Sequence, residues 1–269
     1  MLRGYVSPSA LPLHPERSAR PLRGGGWCRA SLLACCVVGC VVGCDPRVVV
    51  GREGDDDGTW SADHESGDFG QWLGDGTGWD NAEGGGSLEV STTRAFQGDY
   101  SLRASVAPID GELSMAFVAR DVFVEESTLG AWFFLPEAPS AHHLALMKVS
   151  AAPDLDRFDV NVHAPEGAPP RLRVYEHGEG WITESAPIEL PVARWVHVEV
   201  FVRTSAGGEP LLAVLQDGEP VLDVRGQEIV AAAPVSWLVG AAARYVEPSP
   251  FELFIDDASV APGPYPLLP

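Results

Sequence analysis

Polar and apolar residues alternate along most of this chain in short runs, and the runs stop at clusters of Gly, Pro and Asp. In "RWVHVEVFVRT" Val196, Val198, Val200 and Val202 fall on one side, with Trp195, His197 and Glu199 on the other. A period of two is the signature of a strand with one buried face. The same pattern recurs in "SLEVSTT", "DYSLRASV", "LSMAFVARDVFV", "TLGAWFFL", "HLALMKV", "RFDVNVHA", "RLRVYEH", "PLLAVLQDGEPVLDV", "SWLVGAAA" and "FELFIDDASV". No window of eleven or more residues carries a 3.6-residue period. Many short strands between turn signals predict an all-β fold, a two-sheet antiparallel β-sandwich of the jelly-roll kind, over residues 60–262. Asp217-Gly218 sits where a tight type I′ hairpin needs positive φ, and so divides the longest of these runs into two strands.

The N-terminal region reads differently. The five cysteines all lie between Cys28 and Cys44. A disulfide framework would need them distributed through the folded part, and a metal site would need His or carboxylate company that Val, Leu and Ala do not supply. Export explains them better. Arg3, Arg17, Arg20, Arg23 and Arg29 precede the apolar stretch Ala30 to Val42, which is too short for a permanent membrane span. The stretch ends "VVGC" twice, and each copy resembles the lipobox of bacterial lipoproteins. Asp45-Pro46 closes the apolar run, which makes Cys44 the expected lipidated residue. Residues 1–44 are then a lipoprotein signal peptide. Residues 45–59, charged and Gly-rich, form a flexible acidic tether, and 263–269 a Pro-rich tail. The resemblance implies membrane anchorage through lipid, outside the cytoplasm at the cell envelope.

Charge narrows the partners. The chain has 18 Lys+Arg against 38 Asp+Glu, a formal −20, and loss of residues 1–44 leaves 13 against 37. So acidic a surface excludes nucleic acid and electrostatic docking on anionic lipid.

"RWVHVEVFV" followed by "LAVLQDGEPV" resembles a strand pair of laminin G-like and concanavalin A-like jelly rolls. "HESGDFGQW" with "RAFQGDYSLRASV" resembles the N-terminal edge of that class, shared with several carbohydrate-binding modules. "FELFIDDASV" resembles the closing strand that returns beside this edge. The likeness implies a carbohydrate or cell-surface polymer as partner, bound without catalysis on a concave sheet. It also implies a structural Ca2+ where first and last strands meet, with Glu65, a carbonyl near Gly98, and Asp256 or Asp257 as oxygen ligands.

Alternation supplies the candidate glycan contacts. Asp159, Asn161 and His163 oppose Phe158, Val160 and Val162. Arg171, Arg173 and Tyr175 oppose Leu172 and Val174, and His197 and Glu199 oppose the valines of their own strand. An ordinary solvated face is the competing explanation.

Asn161-x-His163 is also similar to the Gln-x-His strand of jelly-roll polysaccharide lyases. That resemblance implies an alternative, β-elimination on a uronate glycan. Asn161 and Arg173 would neutralise the carboxylate, while His163 and Tyr175 moved the proton. The departures are Asn for Gln, no Tyr/Lys-rich C-terminal strand, and a strongly acidic chain whose only lysine is Lys148. No run carries the paired carboxylates a jelly-roll glycosidase needs. The third class is a structural or protein-interaction component of the envelope.

A lipid on Cys44 adds about 0.8 kcal/mol of membrane affinity per buried methylene. Cys44→Ser is therefore expected to move the protein from the membrane to the soluble fraction on fractionation. Retention of that variant, with release of Cys40→Ser, would transfer the anchor to Cys40.

Overall fold

The computed structural model describes residues 59–263, apart from positions 75, 77, 124, 153–154, 166, 178–179, 183–187, 205–207 and 226–234. The expected signal segment, Cys44, nearly all of the tether and the tail beyond 263 lie outside the described residues. Fifteen strands and one helical turn are described: β1 (Trp60–Ala62), α1 (Gly70–Leu73), β2 (Gly78–Glu83), β3 (Ser87–Ser91), β4 (Ser101–Val106), β5 (Ser114–Val122), β6 (Glu126–Phe134), β7 (Ala141–Ala152), β8 (Leu155–Ala164), β9 (Arg171–Glu176), β10 (Gly180–Ile182), β11 (Trp195–Arg203), β12 (Leu211–Gln216), β13 (Glu219–Arg225), β14 (Val235–Ala243) and β15 (Phe251–Pro262).

All strand pairs are antiparallel and form two sheets. The first runs β13-β12-β11-β6-β15-β4-β3, with β1 also paired to β15. The second runs β10-β9-β8-β7-β14-β5-β2. The chain passes repeatedly from one sheet to the other, so the inner faces enclose a common core. The fold is the expected all-β two-sheet sandwich. The eleven runs read from the sequence correspond to β3–β9 and β11–β15, one of them divided into β12 and β13. Asp217 and Gly218 make that division with φ of 52° and 81°. The alternation did not reveal β1, β2, β10 or α1. Two of those strands are three residues long, and β2 ("GWDNAE") is a polar edge strand.

The core is built from the predicted faces. Val196, Val198, Val200 and Val202 are at most 1% exposed. Phe158, Val160 and Val162 approach them from the second sheet in the same cluster, as do Val239 and Trp237. Full burial of each such side chain contributes about 1.5–3 kcal/mol. Three tryptophans close one end of the sandwich. Trp60 and Trp72 lie 4.7 Å apart between ring centroids, and Trp72 and Trp237 lie 5.7 Å apart. The Arg120 guanidinium sits 4.4 Å from the centroid of the Trp60 ring. That corner fixes β1 against β15, as expected of a closing strand.

Among the irregularities of the second sheet, two set the packing around its centre. The β7–β8 register shifts between Ala145 and Met147, so Leu146 and Met147 both enter the core and the residues beyond reverse their facing. In β14, Gly240 lies opposite Phe117 of β5 with φ of 158°. A Cβ at that position would stand 2.0 Å from the Ala116 carbonyl oxygen. Gly240→Ala is therefore expected to destabilise the fold by at least about 2 kcal/mol, lowering the melting temperature by roughly 4–8 °C. An unchanged melting curve would show that β14 and β5 have room to part.

Candidate functional site

On the outer face of the second sheet, away from the core, adjacent strands carry a band of polar side chains. Register places Asp159 of β8 beside Lys148 of β7 and Tyr175 of β9. Asn161 pairs with Arg173, and His163 with Arg171. The structure thus brings Asp159, Asn161, His163, Arg171, Arg173 and Tyr175 onto one face.

Asp159 is the anchor of this band. It is 1% exposed, in the middle of a sheet, and three basic groups reach it. His143 Nε2 is 3.3 Å and His177 Nε2 3.2 Å from Oδ2, while Lys148 Nζ is 3.3 Å from Oδ1. Burial alone would push the Asp159 carboxyl up. The bonds from the two imidazoles and the Lys148 charge outweigh it, and hold the group well below the usual carboxylate range. Tyr175 is clamped between the same two imidazoles, edge-on, with centroid distances of 5.3 Å to His143 and 5.2 Å to His177. Asn161 is fully buried, and its Nδ2 donates to the Asp159 carbonyl at 3.0 Å. Its Oδ1 has no hydrogen-bond partner among the described residues.

Lys148, His143 and His177 were not among the residues read from the sequence. Strict alternation in "HLALMKV" puts Lys148 on the side of Leu144 and Leu146, inside the core. The bulge at Ala145–Met147 turns it outward instead. His177 was findable, because it continues the 171, 173, 175 spacing one step past the end of β9.

His197 and Glu199 are elsewhere. They lie on β11, in the first sheet, facing away from the core. His197 stacks on Trp132 at 4.9 Å, its Nδ1 is 3.6 Å from Glu199, and its main-chain N–H donates to Asp217 at 2.9 Å. The two residues share no face with Asn161 or Arg173.

Glu65, Gly98, Asp256 and Asp257 do meet at one corner. Glu65 accepts the N–H groups of Asp99 and Tyr100 at 2.9–3.1 Å and packs against Gly98. Fully buried Asp256 accepts from Phe96 at 2.8 Å, Gln97 at 3.3 Å and Asp257 at 2.8 Å, and lies 3.6 Å from His64 Nδ1. Main-chain N–H groups here offset the Glu65 and Asp256 charges in the way a cation would. Burial and the neighbouring Asp256, Asp63 and Glu65 charges push the Asp257 carboxyl up. Among the described residues, no three or more His, Cys, Asp or Glu side chains are grouped to hold a metal ion.

No protein-family model matches the chain, and a search of curated proteins finds no relative. Solved structures do share the fold. The cellulose-induced protein Cip1 aligns at TM-score 0.55 and 17% identity, over 75% of this chain and 96% of that one. An endo-β-1,4-glucuronan lyase from the fungus Trichoderma reesei aligns at 0.52 and 13%, over 69% and 91%. A doubly substituted alginate lyase, Aly36B, in complex with alginate tetrasaccharide, aligns at 0.51 and 11%, over 76% and 97%. These likenesses define the class, a jelly-roll β-sandwich of the concanavalin type.

The depressed carboxyl gives a pH signature. A group whose folded pKa is lowered contributes in full above its unfolded value, about 3.9 for Asp, and loses that contribution as pH falls through the folded value. Asp159→Asn is expected to cost about 3 kcal/mol at neutral pH by leaving the Lys148 charge uncompensated. It should also lose less additional stability than the wild type on acidification below about pH 4. Urea denaturation across pH reads both; identical acid limbs would show that Asp159 is not the group that titrates.

Proposed function

We propose that this chain engages an acidic polysaccharide on the outer face of its second sheet. One observation carries the reading. In a chain of net charge −20, the only lysine, two arginines and three histidines gather on a single sheet face. A locally basic face on an acidic molecule attracts carboxylates to one place and repels them from the rest. Tyr175 and the imidazoles offer ring surface on which a sugar ring can stack. The structural neighbours support the class of ligand, since their names include a glucuronan lyase and an alginate lyase holding a tetrasaccharide. A lipid on Cys44 would hold this face at the cell envelope.

A second reading, β-elimination, is favoured by the placement of Tyr175 between two imidazoles, next to the Asn161–Arg173 pair. A uronate carboxylate neutralised by Arg173 would acidify the adjacent C–H. His163 or Tyr175 would take that proton, the glycosidic C–O bond would break, and a proton returned to the leaving oxygen would leave an unsaturated sugar.

Gel retardation in polyglucuronate, polymannuronate and a neutral glucan separates these readings, combined with ultraviolet detection of unsaturated product. Retardation by the acidic polymers alone is expected, weakened about 10- to 100-fold by Arg173→Ala. If the site only binds, Tyr175→Phe and His163→Ala reduce retention modestly and no product forms. If it cleaves, each lowers the rate at least about 100-fold with little change in retention. Absence of both retention and product across the panel would leave the face a structural one.

A further inference from the structure

The basic cluster fills only one end of the outer face. Toward β14, β5 and β2 the same face becomes more apolar, and Trp79, Met115, Phe117 and Leu238, with Lys148, Ser150 and Ser236 on its polar side, line a groove of about 270 Å³. Phe117 forms a floor at 1% exposure, with half-buried Met115 and Leu238 packed against it. Lys148 belongs to both ends. Its Nζ is 3.3 Å from Asp159 and 5.9 Å from the centroid of the Phe117 ring. A ligand whose carboxylate is drawn to the basic end therefore lays its neighbouring substituent in the apolar end. A bare uronate, with hydroxyls and a charge on every ring, has nothing to bury there.

Asn81 indicates which substituent fits. It also lines the groove, and its Nδ2 donates to the Met115 sulfur at 3.5 Å. A thioether is a weak acceptor, so a carbonyl oxygen entering the groove would displace it. A lone methyl, as on a deoxy sugar, would fill the apolar surface but offer this N–H nothing. An acetyl group supplies both a methyl and a carbonyl oxygen.

We propose that the Trp79–Leu238 groove is the subsite for an acetyl group carried by the acidic polysaccharide. Its methyl lies against Met115, Phe117 and Leu238, and its carbonyl oxygen accepts from Asn81 Nδ2. The proposal rests on the reading of this face as an acidic-glycan site, and makes the substrate class an acetylated uronate polymer.

The test compares affinity for partially O-acetylated polyglucuronate, for the same polymer after mild alkaline deacetylation, and for hyaluronan, which carries an N-acetyl group beside each uronate. Wild type is expected to prefer an acetylated polymer about tenfold, of which burial of one methyl supplies about fourfold and the hydrogen bond the rest. Asn81→Ala and Leu238→Gln, each checked for folding by thermal melting, should bring that ratio toward one. Arg173→Ala should weaken all three polymers and keep the ratio. Whichever acetylated polymer shows the Asn81-dependent gain names the source of the group, ester or amide. Equal binding of all three, still sensitive to Arg173→Ala, would overturn the acetyl subsite and leave the acidic-glycan reading standing. A preference indifferent to both Asn81→Ala and Leu238→Gln would overturn its placement. Binding of none, or binding indifferent to Arg173→Ala, would overturn both.

Discussion

A carboxylate with 1% exposure in the middle of a β-sheet has to be compensated, and Asp159 organises the second sheet's outer face for that reason. Removing one charge from water costs several kcal/mol unless partners replace the solvent. The partners come from the two strands that flank β8: His143 and Lys148 on β7, and His177 just past β9. Tyr175 is then held between the imidazoles, and Asn161 is tied to the Asp159 main chain. An ionised Asp159 thus draws positive charge together on one face of an acidic molecule. Asp159 offsets part of that charge, and Arg171 and Arg173 leave the face basic. Such a site suits a ligand whose carboxylates are interspersed with uncharged groups.

The opposite corner uses the same physics for a different end. Asp256 is buried at the point where β15 leaves β4, and its oxygens gather the N–H groups of the 96–97 loop. That places Phe96 on the ring of Trp132, 3.9 Å between centroids, and so covers part of the first sheet's outer face. His64 receives the Trp72 indole N–H at 3.1 Å and approaches Asp256 with its other nitrogen. One acidic residue on the closing strand therefore ties the N-terminal segment, the 96–97 loop and the tryptophan corner together. The residues that the likeness to calcium-holding jelly rolls singles out meet at this corner, where Glu65 and Asp256 accept main-chain N–H groups.

Alternation by itself determined a good deal of this protein: twelve of the strands, the core side of β8, β9 and β11, and the hairpin at Asp217-Gly218. It also placed Asp159, Asn161, His163, Arg171, Arg173 and Tyr175 together, since β8 and β9 are sequence neighbours and pair in register. A period of two is a local property, and these features are local. Which sheet a strand joins is not, because main-chain hydrogen bonds to a strand tens of residues away decide it. Only the tertiary structure therefore sent His197 and Glu199 to the other sheet, and set β14 and β5 beside β7 so that an apolar groove adjoins the basic cluster. Lys148 is the clearest case. Its own run assigns it to the core, and only the extra residue that β7 accommodates against β8 turns it out to meet Asp159, because a bulge reverses every facing beyond it.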